Sequence, residues 1–408
     1  MTQTADIIII GGGLLGTSAA YQLAKRNAGK IVLCEQNDIA SQATSRAACL
    51  LTRARTKPGL MELVQETYDC IEEIETELNE SLDLQQVGSL TISASEASKK
   101  GLEDTYMAAQ RFGIEAEMVG PKEVKEMLPW IDNTSVREAV WMPTDAFIDA
   151  ALLCNGYAKA AKKRGVVVRT RTGVSAILHS NQRVTGVRLG NNDEIHAPVV
   201  IDAAGAWSNL LSYPLGIGLP HTPVRSHFWI TEVNPLLFPA NQPFAVLPDA
   251  RAFTRPDVGA LIVGIREPEC VSYDPKEMKT NIEHVAFTPD NGWSTLSQSA
   301  SLFEAFFPQF RDLGIAHYMA GPSCYVPDAN FIIGGVSSME GFYTSSGCCG
   351  GGVAAGGGMG RLLSEIVTGE ETFVNAAPFD PERFGAIDPF DPAFQKSCAD
   401  ARSNKKGG

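Results

Sequence analysis

The chain has 408 residues, 44% hydrophobic and 20% charged, with a formal net charge of −13, which fits a globular protein of about two to three domains. Its acidic balance and the absence of any Lys/Arg run beyond short pairs such as Lys99-Lys100 and Lys405-Lys406 exclude nucleic acid and anionic membranes as expected partners, because both need clustered cations. No apolar stretch approaches the roughly 18 to 20 residues needed to cross a bilayer, and the opening MTQTAD carries no basic export leader, so a cytoplasmic location without a membrane span is expected.

In chain order, strand Ile7 to Ile10, a Gly turn, a helix from Leu14 to about Arg26 and strand Ile31 to Cys34 spell a βαβ unit. Apolar residues at three- and four-residue steps predict a helix within Pro58 to Glu80. A strand near Gly88 to Ser93, helices around Glu96 to Arg111 and Lys122 to Met127, and a helix from Phe147 to Arg164 follow. Residues 166 to 202 alternate short β-branched runs with polar turns and end in strand Val199 to Ile201. Two β-rich segments, His221 to Thr231 and Ala252 to Ile265, suit an antiparallel sheet. A helix near Leu302 to Phe307 and a strand near Phe331 to Ile333 precede a Gly-rich block that enters a helix ending near Thr368. The tail from Ala376 is rich in Pro, Asp and Phe, and its end, SNKKGG, is expected to be disordered. Nine scattered cysteines without a C-x-x-C pair point to reduced thiols and no metal site.

Gly11-x-Gly13-x-x-Gly16 sits between strand and helix, and Glu35 closes the next strand, the full context of a dinucleotide fingerprint. Gly11 serves a tight turn, Gly13 lets backbone approach a pyrophosphate, and Gly16 lets helix pack on strand. Amides at the helix start hold phosphates without needing a positive protein. Glu35 accepts from ribose hydroxyls and disfavours a 2′-phosphate, leaving NAD or FAD. Two further blocks bear on that choice. One is Asp202-Ala203-Ala204-Gly205-Ala206-Trp207-Ser208, small residues where backbone can approach a flat ligand. The other, residues 345 to 369, holds eight glycines between Gly347 and Gly360. Bare amides there suit charge developing on the pyrimidine edge of a flavin, while close helix packing through small residues is the alternative.

Together the three blocks resemble the D-amino-acid-oxidase-like FAD superfamily over roughly residues 5 to 385. SQATSRAACL (41 to 50), MPTDAFID (142 to 149), ARAFTRPDVGALIVG (250 to 264), AGPSCYVPDANFIIGG (320 to 335) and FDPERF (379 to 384) look most like the flavin domain of dimethylglycine and sarcosine dehydrogenases and sarcosine-oxidase β-type proteins. The resemblance implies an α/β plus α+β fold: a Rossmann-like FAD-binding domain (1–55, 146–220 and 320–375), an inserted antiparallel or mixed β-sheet substrate domain (56–145 and 221–319), and a tail (376–408). It also implies cofactor contacts at Gly11, Gly13, Leu15, Gly16, Glu35 and Gln36; at Ser45, Arg46, Ala47, Cys49 and Leu50; at Val174; at Ala204, Gly205 and Trp207; and at Gly347, Cys348, Cys349, Gly350, Gly351, Gly352 and Val353.

Arg46 stands where some relatives bond a histidine to the flavin, and no histidine precedes His179, so a histidyl link at that segment is excluded and FAD is expected to bind non-covalently. Cys324 is read as a buried small residue, not as a flavin link. The histidine and tyrosine of dimethylglycine-type substrate lobes correspond to Ser226, with His227 displaced by one, and to Phe253; alternation of faces along a strand turns a displaced imidazole away. The carboxylate-binding arginine of glycine oxidase is absent near Ser323. Folate-linked formaldehyde capture in the same chain is not expected. The expected reaction is FAD-dependent oxidation of the C–N bond of an amine or N-methyl amino acid. Dioxygen or an electron-transfer protein would be the acceptor, and assembly with a second subunit is compatible. A 2-hydroxy-acid dehydrogenase and a silent flavoprotein subunit are the alternatives. Candidate substrate residues are His227, Arg225 and Arg255, with Arg53 and Arg55 beside them.

Overall fold

The computed structural model of the chain describes residues 3–57, 59–278, 282, 290 and 292–405. Ile7–Ile10, every residue buried, is an interior strand of a six-stranded sheet. Its order is Ile332–Gly335, Phe342–Ser346, Val199–Asp202, Ile7–Ile10, Ile31–Cys34, Val167–Arg169, parallel except for the first strand. A strand apolar on both sides demands cover on both faces. A four-stranded sheet of Gln3–Thr4, Glu194–His196, Arg183–Leu189 and Val174–Ser180 supplies Ile177, Val184, Val187 and Leu189 to the same core as Ile8 and Ile10. Helices cover the other face.

In chain order the helices are α1 (Leu14–Lys25), α2 (Leu60–Leu78), α3 (Glu96–Arg111), α4 (Pro121–Met127), α5 (Ala150–Lys163), α6 (Ser208–Ser212), α7 (Trp293–Glu304), α8 (Gly352–Thr368) and α9 (Pro392–Ser403). The Gly-rich block serves both of its readings. Gly356, Gly357, Gly358 and Gly360 are buried in α8, where a Cβ would press on Leu14, Thr67, Leu63 or Ser18; α8 therefore lies directly on α1 and α2. Consequently α2, assigned from sequence to the substrate segment 56–145, packs through Leu63, Val64, Ile71 and Ile74 into the nucleotide-domain core. The correction follows from its apolar face, which only the glycine stripe of α8 accommodates.

A second large sheet has eight strands, ordered Ile315–Tyr325, Thr222–Thr231, Ala260–Ile265, Ala252–Asp257, Phe244–Leu247, Ser89–Ser93, Glu138–Met142, Glu117–Val119. It is mixed, with Phe244–Leu247 parallel to Ser89–Ser93 and the other pairs antiparallel. Trp130, Phe303, Phe307 and Phe310 fill one face of it. The tail also departs from expectation: α9 reaches Ser403, and its side chains Cys398 and Ala399 are buried in the nucleotide-domain core. Asp391 caps it, accepting from the Ala393 amide at 3.1 Å, and Arg251 and Arg266 hold the Ser403 and Lys405 carbonyls. Of the segment expected to be disordered, 406–408 lie outside the described residues.

His221 is buried, and neither ring nitrogen has a hydrogen-bond partner. Burial pushes its pKa down to about 4, from about 6.5 in the unfolded chain. The folded state therefore binds this proton less well, and stability present above pH 6.5 is lost as pH falls toward 4. Asp145 and Asp202, whose carboxyls burial pushes up to about 6, act in the opposite sense. The clean observable is a difference: His221→Leu should gain on the wild type by on the order of 3 kcal/mol between pH 6.5 and 4, read from urea unfolding. A constant gap would contradict this.

Candidate active site

The strand–turn–helix unit delivers the first wall. Gly11 has φ +109°, and a Cβ on Gly16 would overlap the Gly11 carbonyl oxygen, so strand and helix meet through bare backbone. Gly13 caps α1 with extended geometry and no side-chain bond. The Leu14 amide reaches the Thr44 hydroxyl at 3.1 Å, while the other first-turn amides have no intrahelical acceptor. Glu35 is 7% exposed; its two oxygens accept from the Gly12 amide at 2.6 Å and the Asn37 amide at 2.7 Å. Burial raises its pKa, and each oxygen keeps a lone pair for a hydroxyl.

From this turn a cavity of about 490 Å³ runs between the two domains to Ser226, Phe228 and Phe253 of the eight-stranded sheet. Ser226 Oγ is buried without a partner. Gly264, opposite Phe253, makes room for its ring, since a Cβ there would collide with it. His227 belongs to the cavity wall, yet its side chain is fully buried. Its Nε2 lies 3.1 Å from the Ile265 carbonyl and its Nδ1 3.0 Å from the Tyr318 hydroxyl. A carbonyl only accepts, so Nε2 carries the proton and Nδ1 accepts from Tyr318. Burial holds its pKa down to about 4, so the ring is neutral with both nitrogens engaged.

Of the predicted cofactor residues, Gly11, Gly13, Leu15, Glu35, Gln36, Arg46, Ala47, Cys49, Leu50, Val174, Ala204, Gly205, Trp207, Gly347, Cys348, Gly350, Gly351, Gly352 and Val353 line this cavity. Gly16, Ser45 and Cys349 stand behind it. Arg46 Nη1 donates to the Ser41 and Gln42 carbonyls at 2.8 and 2.7 Å. Burial pushes the Cys324 thiol well up, keeping it protonated.

Two substrate candidates need correction. Arg225 lies behind the wall, its Nε donating to Glu267 Oε1 at 2.6 Å. Arg255 stacks over Phe147 at 4.6 Å with Asp257 as its ion partner. Arg225 points away because its neighbour Ser226 takes the cavity face of their strand. Arg53 is likewise occupied, over the Tyr68 ring at 3.5 Å. Arg55 does line the cavity, and with it stand three cations that sequence reasoning missed: Arg266, Arg402 and Lys405. No motif carries them; Arg402 sits in the Pro-, Asp- and Phe-rich tail, and Lys405 in its end, SNKKGG, whose composition reads as disordered.

The donor set fits FAD. Its pyrophosphate suits the uncovered first turn of α1. Trp207 Nε1 is buried, unpartnered and in the wall. Gly347 and Gly350–Gly352 give the N-terminus of α8 a bare surface for a flat ring. Among the described residues no group of three or more His, Cys, Asp or Glu is placed to hold a metal ion, and no helix is long and apolar enough to cross a membrane.

A family profile described as FAD dependent oxidoreductase matches residues 6–366. The chain is 27% identical over 394 residues to the mitochondrial pyruvate dehydrogenase phosphatase regulatory subunit of Mus musculus, covering 94% of this chain and 43% of that protein. It is 25% identical over 390 residues to mitochondrial sarcosine dehydrogenase of the same organism, covering 94% of this chain and 42% of that protein. It thus spans less than half the length of these curated relatives. Among solved structures, L-proline dehydrogenase from P. horikoshii superposes with a TM-score of 0.82 at 23% identity, covering 94% of this chain and 98% of that one.

Proposed function

The chain belongs to the DAO family of FAD dependent oxidoreductases, and from that footing we propose that it oxidises the C–N bond of an amine or amino acid. FAD bound in the cavity would supply a two-electron acceptor that takes a hydride from the carbon next to nitrogen. The observation that carries the reading is the single cavity that runs from the dinucleotide turn at Gly11–Leu15 to the apolar side chains Phe228 and Phe253. Among its described lining residues, His227 is neutral with both nitrogens engaged, and Glu35 lies at the nucleotide end. The chain's own part is therefore positioning: Phe228 and Phe253 form an apolar wall, Ser226 Oγ offers a donor or acceptor, and the cations orient an anionic group.

Similarity to a protein named as a regulatory subunit favours a second reading, a flavoprotein without turnover of its own. One experiment decides between them. Mixed anaerobically with a panel of primary, secondary and N-methyl amino acids and amines, the holoenzyme should bleach with at least one amine and with no 2-hydroxy acid. A flavin silent to the whole panel would support the subunit reading; bleaching by hydroxy acids alone would overturn the amine assignment. We place the reaction in the cytoplasm, a reading supported by nine unpaired cysteines.

A further inference from the structure

Four cations, Arg55, Arg266, Arg402 and Lys405, line one end of the cavity. Lys405 Nζ donates to the Cys349 carbonyl at 3.3 Å, beside the loop that enters α8. The Lys405 carbonyl is held by Arg266 Nη2 at 2.5 Å. Arg402, 7% exposed, donates from Nη1 to the Tyr325 hydroxyl at 2.9 Å, and its Nε is buried with no partner. The Arg55 guanidinium lines the cavity and makes no hydrogen bond to a described residue. Among the described residues, Glu267 reaches Arg402 and Asp145 reaches Arg55 electrostatically, and each has other partners. Glu267 accepts from Arg225; Asp145 accepts from Ser89 Oγ at 2.6 Å and the Arg53 amide at 2.8 Å, and burial pushes its carboxyl up to about 6. Burial first, then the neighbouring Arg55, Arg266 and Arg402, push Lys405 down to about 7, as like charges in close company do.

Such a cluster is costly unless a ligand neutralises it. The cofactor's own phosphates belong at the opposite end, on the Gly11–Leu15 turn. One carboxylate on an amino acid would leave most of the excess in place. The geometry points to an anion subsite carried by the C-terminal segment, in which Arg402 and Lys405 act with Arg55 to bind the second carboxylate of a dicarboxylic amine substrate. The inference rests on the amine-oxidation reading and adds the substrate's charge to it.

The test uses non-reactive probes on the full-length holoenzyme, following the perturbation of flavin absorbance. Succinate and glutarate should bind at least about tenfold tighter than propionate and butyrate. Lys405→Gln and Arg55→Gln should each weaken succinate and glutarate binding at least about tenfold more than butyrate binding, erasing that preference. Lys405→Arg, which keeps the charge, should retain it and guards against a folding defect in the glutamine variant. Equal binding of mono- and dicarboxylates by the wild type would overturn the inference, as would a preference that survives Lys405→Gln. Bleaching by amines without the preference would leave the proposed reaction standing; the preference with a flavin that no amine bleaches would do the reverse.

Discussion

Gly16→Ala is expected to give a protein that no longer retains FAD. The new Cβ would overlap the Gly11 carbonyl oxygen, come within 3.1 Å of the Gly11 carbonyl carbon and 3.4 Å of Ala203 Cβ. The first two are backbone atoms, and Gly11 is fixed on its other side, where a Cβ would strike the Ala203 carbonyl. No flexible side chain can absorb the intrusion, so α1 must tilt off the sheet. Overpacking of this kind costs about 1–3 kcal/mol, and it moves the first-turn amides that face the pyrophosphate. The flavin-to-protein ratio after gel filtration should fall at least about tenfold. A yellow Gly16→Ala protein with full flavin content would show that helix and strand meet less tightly than described.

Lys405→Glu should have the next largest effect. A carboxylate at this position sits among Arg55, Arg266 and Arg402 and becomes an internal occupant of the subsite. Because α9 and its contacts through Cys398 and Arg402 are untouched, FAD content and thermal stability should stay near wild type. kcat/KM for an anionic amine should fall on the order of 100-fold, with the loss concentrated in KM. The wild type carries a companion signature in pH. Lys405, facing Arg55, Arg266, Arg402 and Cys349, is held down to about 7, so anion affinity is greatest below pH 7 and declines as the ammonium deprotonates above it. Lys405→Gln should flatten that limb of the profile. An unchanged profile would assign the titration to another group.

What could be read from the chain alone divides by distance along it. Gly11, Gly13 and Gly16 are legible because strand, turn and helix are consecutive, so sequence spacing is spatial spacing. The neighbouring positions Ser226 and His227 were legible for the same reason, since strand alternation is local; the structure places His227 in the cavity wall with its ring held by Tyr318 and Ile265. Arg55, Arg266 and the pair Arg402 and Lys405 come from three separate stretches, and nothing periodic links them. Lys405 lies in a run that composition alone assigns to solvent, and only the docking of α9 on the strands Thr222–Thr231 and Ile315–Tyr325 brings it inward. Likewise, the assignment of α2 to the wrong domain reflects a helix whose partner, α8, lies nearly three hundred residues later in the chain.

The glycine stripe in α8 has a consequence for how the protein is assembled. Glycine in a helix interior costs roughly 0.8–1 kcal/mol relative to alanine, and Gly356, Gly357, Gly358 and Gly360 together make α8 a segment that would not hold its shape as an isolated peptide. It becomes helical only against the ready-made surfaces of α1 and α2. The loop that α8 anchors, Gly347 to Gly351, therefore forms late, after the amino-terminal unit has folded, and a ribosome must release residues through Thr368 before the flavin has a complete seat.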